Sequence, residues 1–310
     1  MGTVRVAQLK SEGTWCALKA VRKDYVTKHN DGRHVQNERD LLLELQHPFI
    51  VRLFGTFQDS VNIYFVMEFL PGGELYARLK KEKSFSPNVS KFYLSEILVA
   101  LEYMHTNDVC YRDLKPENVL LDAEGHCKFV DFGFSCRAGA GDPMRTSVGT
   151  PAYLSPELLN GKFTGGYLRI VDWWAFGILT YELLSGKTPF SKNNQESPYS
   201  IYLRVLKGKI PFNKSFPKQA RSLVKMLLQS SINERLVDPQ GIRTHAWFED
   251  MRFDEVSQRR LKPPFSPNLS SAGDWKYFDR FPGDDAPLTD DVRSRSITSN
   301  AIDESLFSDF

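Results

Sequence analysis

The chain has 310 residues, 41% of them hydrophobic and 25% charged, with a formal net charge of +2. That balance suits a soluble globular protein of one large domain or two smaller ones, and so weak a basic bias argues against nucleic acid or a membrane surface as partner. No apolar run reaches the roughly 18–20 residues of a membrane span. The four cysteines show no metal-ligand spacing, so thiols and a cytoplasmic (or also nuclear) location are expected.

In chain order, "GTVRVAQ" and "TWCALKAV" alternate polar and apolar residues at period two around the turn "SEG", which predicts paired strands. "GRHVQNERDLLLELQHP" carries Val35, Leu41, Leu42 and Leu45 on one helical stripe and stops at Pro48. "VNIYFVMEF" is a third strand, rich in β-branched and aromatic residues. Residues 1–70 therefore read as a small antiparallel sheet with one long helix.

From residue 71 to 253 the character is helical. Ser86 is placed to cap a helix with Pro87 at its first position, and Val89, Phe92, Tyr93, Ile97, Leu101 and Met104 follow at helical spacing. "VDWWAFGILTYELLSG" is a more apolar helix closed by Gly186, and "SPYSIYLRVLKG" and "QARSLVKMLLQ" are amphipathic. Residues 254–310 are polar, with scattered aromatics, and read as an extended tail on the globule.

Chemistry concentrates in "VCYRDLKPENVLL", where Asp113, Lys115 and Asn118 sit between apolar anchors. A connecting loop would use Gly, Ser or Asn for its geometry; this one carries a carboxylate able to act as a base, a cation and an amide. Downstream, "KFVDFGF" runs a short strand into Asp131, with Gly133 expected to allow the sharp turn. Asn118 and Asp131 offer the hard oxygens that Mg²⁺ prefers, with phosphates to complete its shell. Upstream, Lys19 lies mid-strand among apolar residues, a costly place for an ammonium without a partner, and Glu38 on the long helix is the natural one.

In this order the motifs resemble the signature set of the Ser/Thr protein kinases of the AGC group, which includes the cyclic-nucleotide-dependent kinases. "CYRDLKPEN" resembles the catalytic loop, with Tyr111 where most kinases have His, and "DFG" is intact. "GTPAYLSPE" resembles the end of the activation segment, with Ser155 in place of the usual Ala. "DWWAFG", "INERL", "KPPFSP", "YFDRF" and the final "FSDF" resemble later parts of the group's pattern, including its C-terminal extension. The ending is like that of the cyclic-AMP-dependent catalytic subunits.

The resemblance implies an α+β, two-lobed fold: a small sheet lobe over residues 1–70, a helical lobe over 71–253 and a tail over 254–310, with ATP and Mg²⁺ between the lobes. It implies that Asp113 orients a Ser/Thr hydroxyl and that Lys115 steadies the transferring phosphoryl charge. Lys19, held by Glu38, would bind phosphates, and Asn118 and Asp131 would hold the metal. Gly2, Val4, Ala17, Met67, Glu68, Leu70, Glu74, Glu117 and Leu121 would line the nucleotide, with Leu121 as its floor.

Glu74, Glu117 and Glu182 would receive arginines that precede the acceptor. Phe134 matches kinases that prefer Ser, and Val148, Pro151 and Leu154 would shape the site after the acceptor. Thr146 would be the regulatory phosphosite, with Ser147 as a competitor and His34, Arg112 and Lys128 gathered around it. Glu157 and Arg235 would form a buried ion pair. Phe307 and Phe310 would dock beside the helix of Glu38, and Phe278 and Phe281 would approach the nucleotide. A regulatory subunit that binds a cyclic nucleotide is a further implied partner.

The family pattern over the phosphates is G-x-G-x-x-G-x-V. Spacing to Lys19 makes Gly2 the third glycine and Val4 the valine, and the first two glycines and first strand do not precede them. The chain as written is therefore expected to be less stable and much less active than a full-length relative. A non-catalytic, kinase-like binding module is the alternative.

Overall fold

The computed structural model describes residues 2–138, 150–161, 168–193, 196–279 and 304–310. Strands β1 (Thr3–Gln8) and β2 (Trp15–Arg22) pair antiparallel, with Val4 opposite Lys19. Strands β3 (Leu53–Gln58) and β4 (Asn62–Glu68) complete a four-stranded sheet in the order β1-β2-β4-β3, which sets Lys19 opposite Phe65. The strand β3 is hidden in the sequence because Gly55 breaks its alternation, and the register shifts between Leu53 and Gly55.

Where one helix is expected, two form. Helix α1 (Lys23–His29) ends at Asn30, whose left-handed φ of 54° returns its N–H to the carbonyls of Thr27 and Val26. Helix α2 (Gly32–Glu44) then starts in a new direction, with Val35, Leu41 and Leu42 on its buried face.

The linker after α2 ties the sheet to the larger lobe. Strands β5 (Gly73–Glu74), β6 (Val109–Cys110), β7 (Val119–Leu121), β8 (Cys127–Phe129) and β9 (Cys136–Arg137) are short. They form a β5-β7-β8 sheet and a β6-β9 ribbon. Phe129 of β8 donates its N–H to Phe49 O (2.8 Å), and Val51 N–H returns to Phe129 O (2.9 Å).

The helical lobe holds α3 (Leu75–Glu82), α4 (Pro87–Thr106), α5 (Pro156–Leu159), α6 (Leu168–Ser185), α7 (Pro198–Lys207), α8 (Lys218–Leu227), α9 (Pro239–Arg243) and α10 (Phe253–Ser257). Ser86 caps α4, its hydroxyl accepting from Val89 N, with Pro87 first in the helix. Trp173, Trp174 and Phe176 of α6 are buried in the core. Gly186 closes α6 at φ 73°, where an added Cβ would lie 1.7 Å from the Lys83 carbonyl oxygen, so only glycine permits this contact with the end of α3. Among the described residues no helix is long and apolar enough to cross a membrane.

Glu157 of α5 and Arg235 form a two-pronged pair at 2.6 and 2.8 Å, and the guanidinium lies 4.9 Å from the Trp174 ring centre. Both residues are buried. Such a pair holds position more than it adds stability, but loss of either partner leaves an uncompensated charge.

The last residues of the chain dock on the sheet lobe. Phe307 is buried, with the Lys23 ammonium 5.3 Å from its ring centre, and Phe310 lies edge-on to Phe65 and beneath Arg39. Gln58 Nε2 donates to Phe307 O (2.7 Å), Gln36 Nε2 to Leu306 O (2.9 Å) and Arg39 Nη1 to Asp309 O (2.6 Å). Gln36 and Arg39 belong to α2, so the tail fixes the outer face of that helix. Phe307→Ala should cost the sheet lobe about 3–5 kcal/mol, read as a lowered Tm in a thermal melt.

Candidate active site

A cleft of about 1330 Å³ opens between the sheet and the helical lobe. Lys19 projects into it from β2, and its Nζ lies 2.6 Å from Glu38 Oε1 and 3.6 Å from Asp131 Oδ1. Burial acts to lower the Lys19 pKa, yet Glu38 and Asp131 more than offset it, so the ammonium is held above its ordinary value. Burial pushes Glu38 up, partly countered by Lys19 and by the Phe132 N–H it accepts. Helix α2 is thus joined through one carboxylate to both β2 and the segment around Asp131. Asn37 adds a second tie, its Nδ2 donating to Ser135 O at 2.7 Å.

Asp131 itself makes the sharp turn, at φ 58°; the expectation that Gly133 supplies it is corrected, since Gly133 is not in the left-handed region. Aspartate tolerates that region better than most residues. Gly133 instead leaves room for that carboxylate: its N–H approaches Asp131 Oδ1 at 3.3 Å, and an added Cβ would crowd that oxygen at 3.2 Å.

Asp113 sits in the loop between β6 and β7 and is buried. Lys115 Nζ lies 2.8 Å from its Oδ2 and 3.1 Å from its Oδ1, and Asn118 Nδ2 donates to Oδ2 at 2.6 Å. Burial raises the Asp113 pKa, against the opposing pull of Lys115 and Asn118. Asp131 is close enough to push in the same direction as burial.

The loop is held from below by Asp172 of α6, fully buried, which accepts from Tyr111 N (2.9 Å) and Arg112 N (2.7 Å) and lies 2.8 Å from His105 Nε2. Tyr111 donates to Val130 O at 2.6 Å, and its ring meets Phe129 and Phe132 edge-on. These contacts lock the base-bearing loop to the Asp131 segment. The sequence reading missed Asp172 and His105; a carboxylate inside the apolar run "IVDWWAFGIL" was the available signal.

Of the expected nucleotide residues, Gly2, Val4, Ala17, Lys19, Glu38, Met67, Glu68, Leu70, Glu74, Glu117, Asn118 and Asp131 all line the cleft. Leu121 does not and is corrected: it is fully buried in the core, and Leu120 lines the cleft instead. Neighbours on a strand face opposite sides, so a one-residue error of register exchanges floor for core. Asp113 and Lys115 are not among the lining residues; Asn118, which donates to Asp113, is. Phe278 and Phe134 also line it, whereas Thr146, Ser147, Val148 and Phe281 lie outside the described residues.

His34 and Arg112 are among the residues lining the cleft, and Lys128 is not. Its Nζ is held by Glu68 Oε1 (2.7 Å), which also accepts Arg52 N (2.9 Å). Burial, and then the Lys128 charge, pushes nearby His47 down to about 4. The pair fastens the strand that leads out of the sheet, β4, to β8.

The donor set fits a nucleotide with Mg²⁺. Asn118 turns its amide nitrogen to Asp113, which leaves the amide oxygen as acceptor; with the half-exposed Asp131 carboxylate it makes a pair of hard oxygens. Among the described residues no group of three or more His, Cys, Asp or Glu could hold a metal by itself. An added Cβ on Gly2 would lie 2.6 Å from Ala20 O, so only glycine lets the chain lie this close to β2 at the cleft.

An ion-paired lysine, a carboxylate at a left-handed turn and a buried base-bearing loop facing one interlobe cleft define the phosphotransferase class of site. The protein kinase domain family matches residues 1–248, and the chain belongs to that family. Within it, the chain is 40% identical over 304 residues to the cAMP-dependent protein kinase catalytic subunit PRKX of Mus musculus, covering 96% of this chain and 82% of the relative. It is 38% identical over 286 residues to cAMP-dependent protein kinase type 3 of Saccharomyces cerevisiae, covering 91% and 70%. A RAC family serine/threonine-protein kinase homolog of Dictyostelium discoideum is 38% identical over 289 residues, covering 92% and 64%. The likeness therefore spans the AGC group, with cyclic-AMP-dependent catalytic subunits prominent in it.

Lys19→Met leaves Glu38 buried without its cation. The variant should be less stable at pH 7 by about 3–5 kcal/mol. Glu38 is then an acid whose folded pKa is raised further, so the deficit grows as pH rises through that pKa and shrinks on acidification. Denaturant titrations at pH 7 and pH 5 read the difference; an equal deficit at both would count against it.

Proposed function

We propose that this protein transfers the γ-phosphoryl group of ATP to Ser or Thr hydroxyls in protein segments that carry arginines before the acceptor. The observation that carries the reading is one cleft lined by Lys19, Glu38, Asp131 and Asn118, with Asn118 bonded behind it to the Asp113–Lys115 pair. When bound, ATP supplies the phosphoryl group and Mg²⁺ supplies positive charge at its oxygens. Lys19, kept protonated by two carboxylates, is suited to bind phosphate oxygens and to stay put while doing so. Asp113 Oδ1, which carries only the longer Lys115 contact, is the oxygen suited to accept the substrate hydroxyl proton. Lys115 lies beside it as a cation for the charge that moves. Preorganised charge, rather than covalent chemistry, does the catalysis.

Substrate choice rests on three carboxylates. Glu74 and Glu117 line the cleft, and Glu182, buried on α6, accepts from Tyr153 Oη. Burial, and then the charges of Glu117, Glu182 and Glu74, raise the Tyr76 phenol, which supports reading the three as one acidic group. Burial raises Glu74 and Glu117 and pushes Glu182 up to about 7. A guanidinium arriving there would restore the charged forms and be held by them. Pro151 and Leu154, with Val148, would shape an apolar site for the residue after the acceptor, and Phe134 would favour Ser over Thr. Phosphorylation of Thr146, received by His34 and Arg112, and control by a regulatory subunit that binds a cyclic nucleotide are parts of the same proposal, as is a cytoplasmic location.

Asp113→Ala should lower kcat for an arginine-containing peptide by at least about 100-fold while nucleotide binding persists; a wild-type chain that binds ATP yet phosphorylates nothing would mark a binding module instead. Glu182 is charged only above its pKa near 7. The kcat/KM for that peptide should therefore fall as pH drops from 8 to 6. Glu182→Gln should give a low, flatter profile; an unchanged pH slope in that variant would remove Glu182 from recognition.

A further inference from the structure

Cys110 and Cys136 have no part in the site described above. The β6–β9 ribbon has two residue pairs, Val109 with Arg137 and Cys110 with Cys136, extended by one bond from Ala138 N to Asp108 O (2.6 Å). Directly opposed residues on antiparallel strands have Cα atoms about 4.5–5.5 Å apart. That falls within the span a disulfide bridges, about 4.4–6.8 Å. Side chains of such a pair share one face, and the two sulfurs share a hydrogen bond. Both residues are buried and form a small apolar cluster with Ala138, apart from the main core. The structure holds both as thiols. By contrast, Cys16 faces Ala7 and Glu68 across its ladders, and Cys127 faces Leu121.

We propose that Cys110 and Cys136 form a redox modification site, a dithiol that a hydroperoxide converts to a disulfide. The bond would join β6 to β9 and close a covalent ring over residues 110–136, which contains Asp113, Lys115, Asn118 and Asp131.

While the ribbon is closed, the hydrogen bond that the Cys110 S–H donates to Cys136, and then burial, raise the Cys110 pKa, so that thiol stays protonated and slow. Reaction begins when the two-pair ladder frays, as short ladders do. Cys136 is 5% exposed and Cys110 0%, so Cys136 meets the oxidant first. Its thiolate sulfur attacks one peroxide oxygen, the O–O bond breaks, and with H₂O₂ the leaving hydroxide takes a proton to become water. Cys136 is then a sulfenic acid. The Cys110 sulfur attacks that sulfur, an S–S bond forms, the S–O bond breaks, and the departing hydroxide takes the Cys110 proton as a second water. Two thiols lose two electrons and one peroxide gains them. Because the sulfurs already face each other, the bond needs little backbone movement.

The test uses the full chain, treated with H₂O₂ and then with an alkylating reagent under denaturing conditions. We expect loss of two hydrogens in the intact mass, with Cys16 and Cys127 alkylated, a Cys110–Cys136 peptide on mapping, and reversal by dithiothreitol. Closing a ring of this size should raise the Tm by about 5 °C. Cys136→Ala and Cys110→Ser should each abolish both the mass change and the Tm shift; mapping of the wild type alone decides the site if either variant fails to fold. Alkylation of both Cys110 and Cys136 after peroxide, or a bridge to another cysteine, overturns the site. A bridged chain with an unchanged or lower Tm overturns its role as a brace.

Discussion

The ion pair between Lys19 and Glu38 is the constraint on which the rest of this molecule turns. An ammonium and a carboxylate both removed from water are tolerable only at short range and with further partners, and here the partners are the Asp131 carboxylate and the Phe132 N–H. Satisfying one lysine therefore dictates where three separate segments sit: β2, α2 and the turn after β8. The cleft takes its shape from that agreement.

Support for α2 comes from both sides. Its inner face meets the pair and Ser135; its outer face receives the last residues of the chain, whose backbone carbonyls are held by Gln36 and Arg39. Gly32 lies so close to Leu306 that an added Cβ would be 3.1 Å from a Leu306 methyl carbon. A helix clasped in this way presents Glu38 at a fixed depth, which a buried charge pair requires. Below, Asp172 does the equivalent for the base-bearing loop by accepting two of its backbone N–H groups.

The sequence disclosed the parts whose chemistry is local. "YRDLKPEN", "DFG" and the lone mid-strand Lys19 are costly residues in costly places, and that cost can be seen without any knowledge of the fold. Ser86, Pro87 and Gly186 announced helix ends by the same local logic. What stayed hidden depends on geometry between segments. Leu120 and Leu121 cannot be told apart without the strand's facing. The pairing of Lys128 with Glu68, sixty residues away, leaves no trace in the sequence. Helix α1, which ends at the left-handed Asn30 just before the expected helix begins, carries no strong stripe of its own, and the opposition of Cys110 and Cys136 exists only once β6 and β9 are paired.

One backbone contact has an implication for genetics. Gly186 lets the end of α6 lie against the Lys83 carbonyl, at a distance no side chain allows. A single-base change there would leave every reactive group intact while separating two helix ends of the larger lobe. Cells carrying such an allele should grow normally when cool and lose the protein's output on warming, which makes that codon a natural entry point for a conditional mutant.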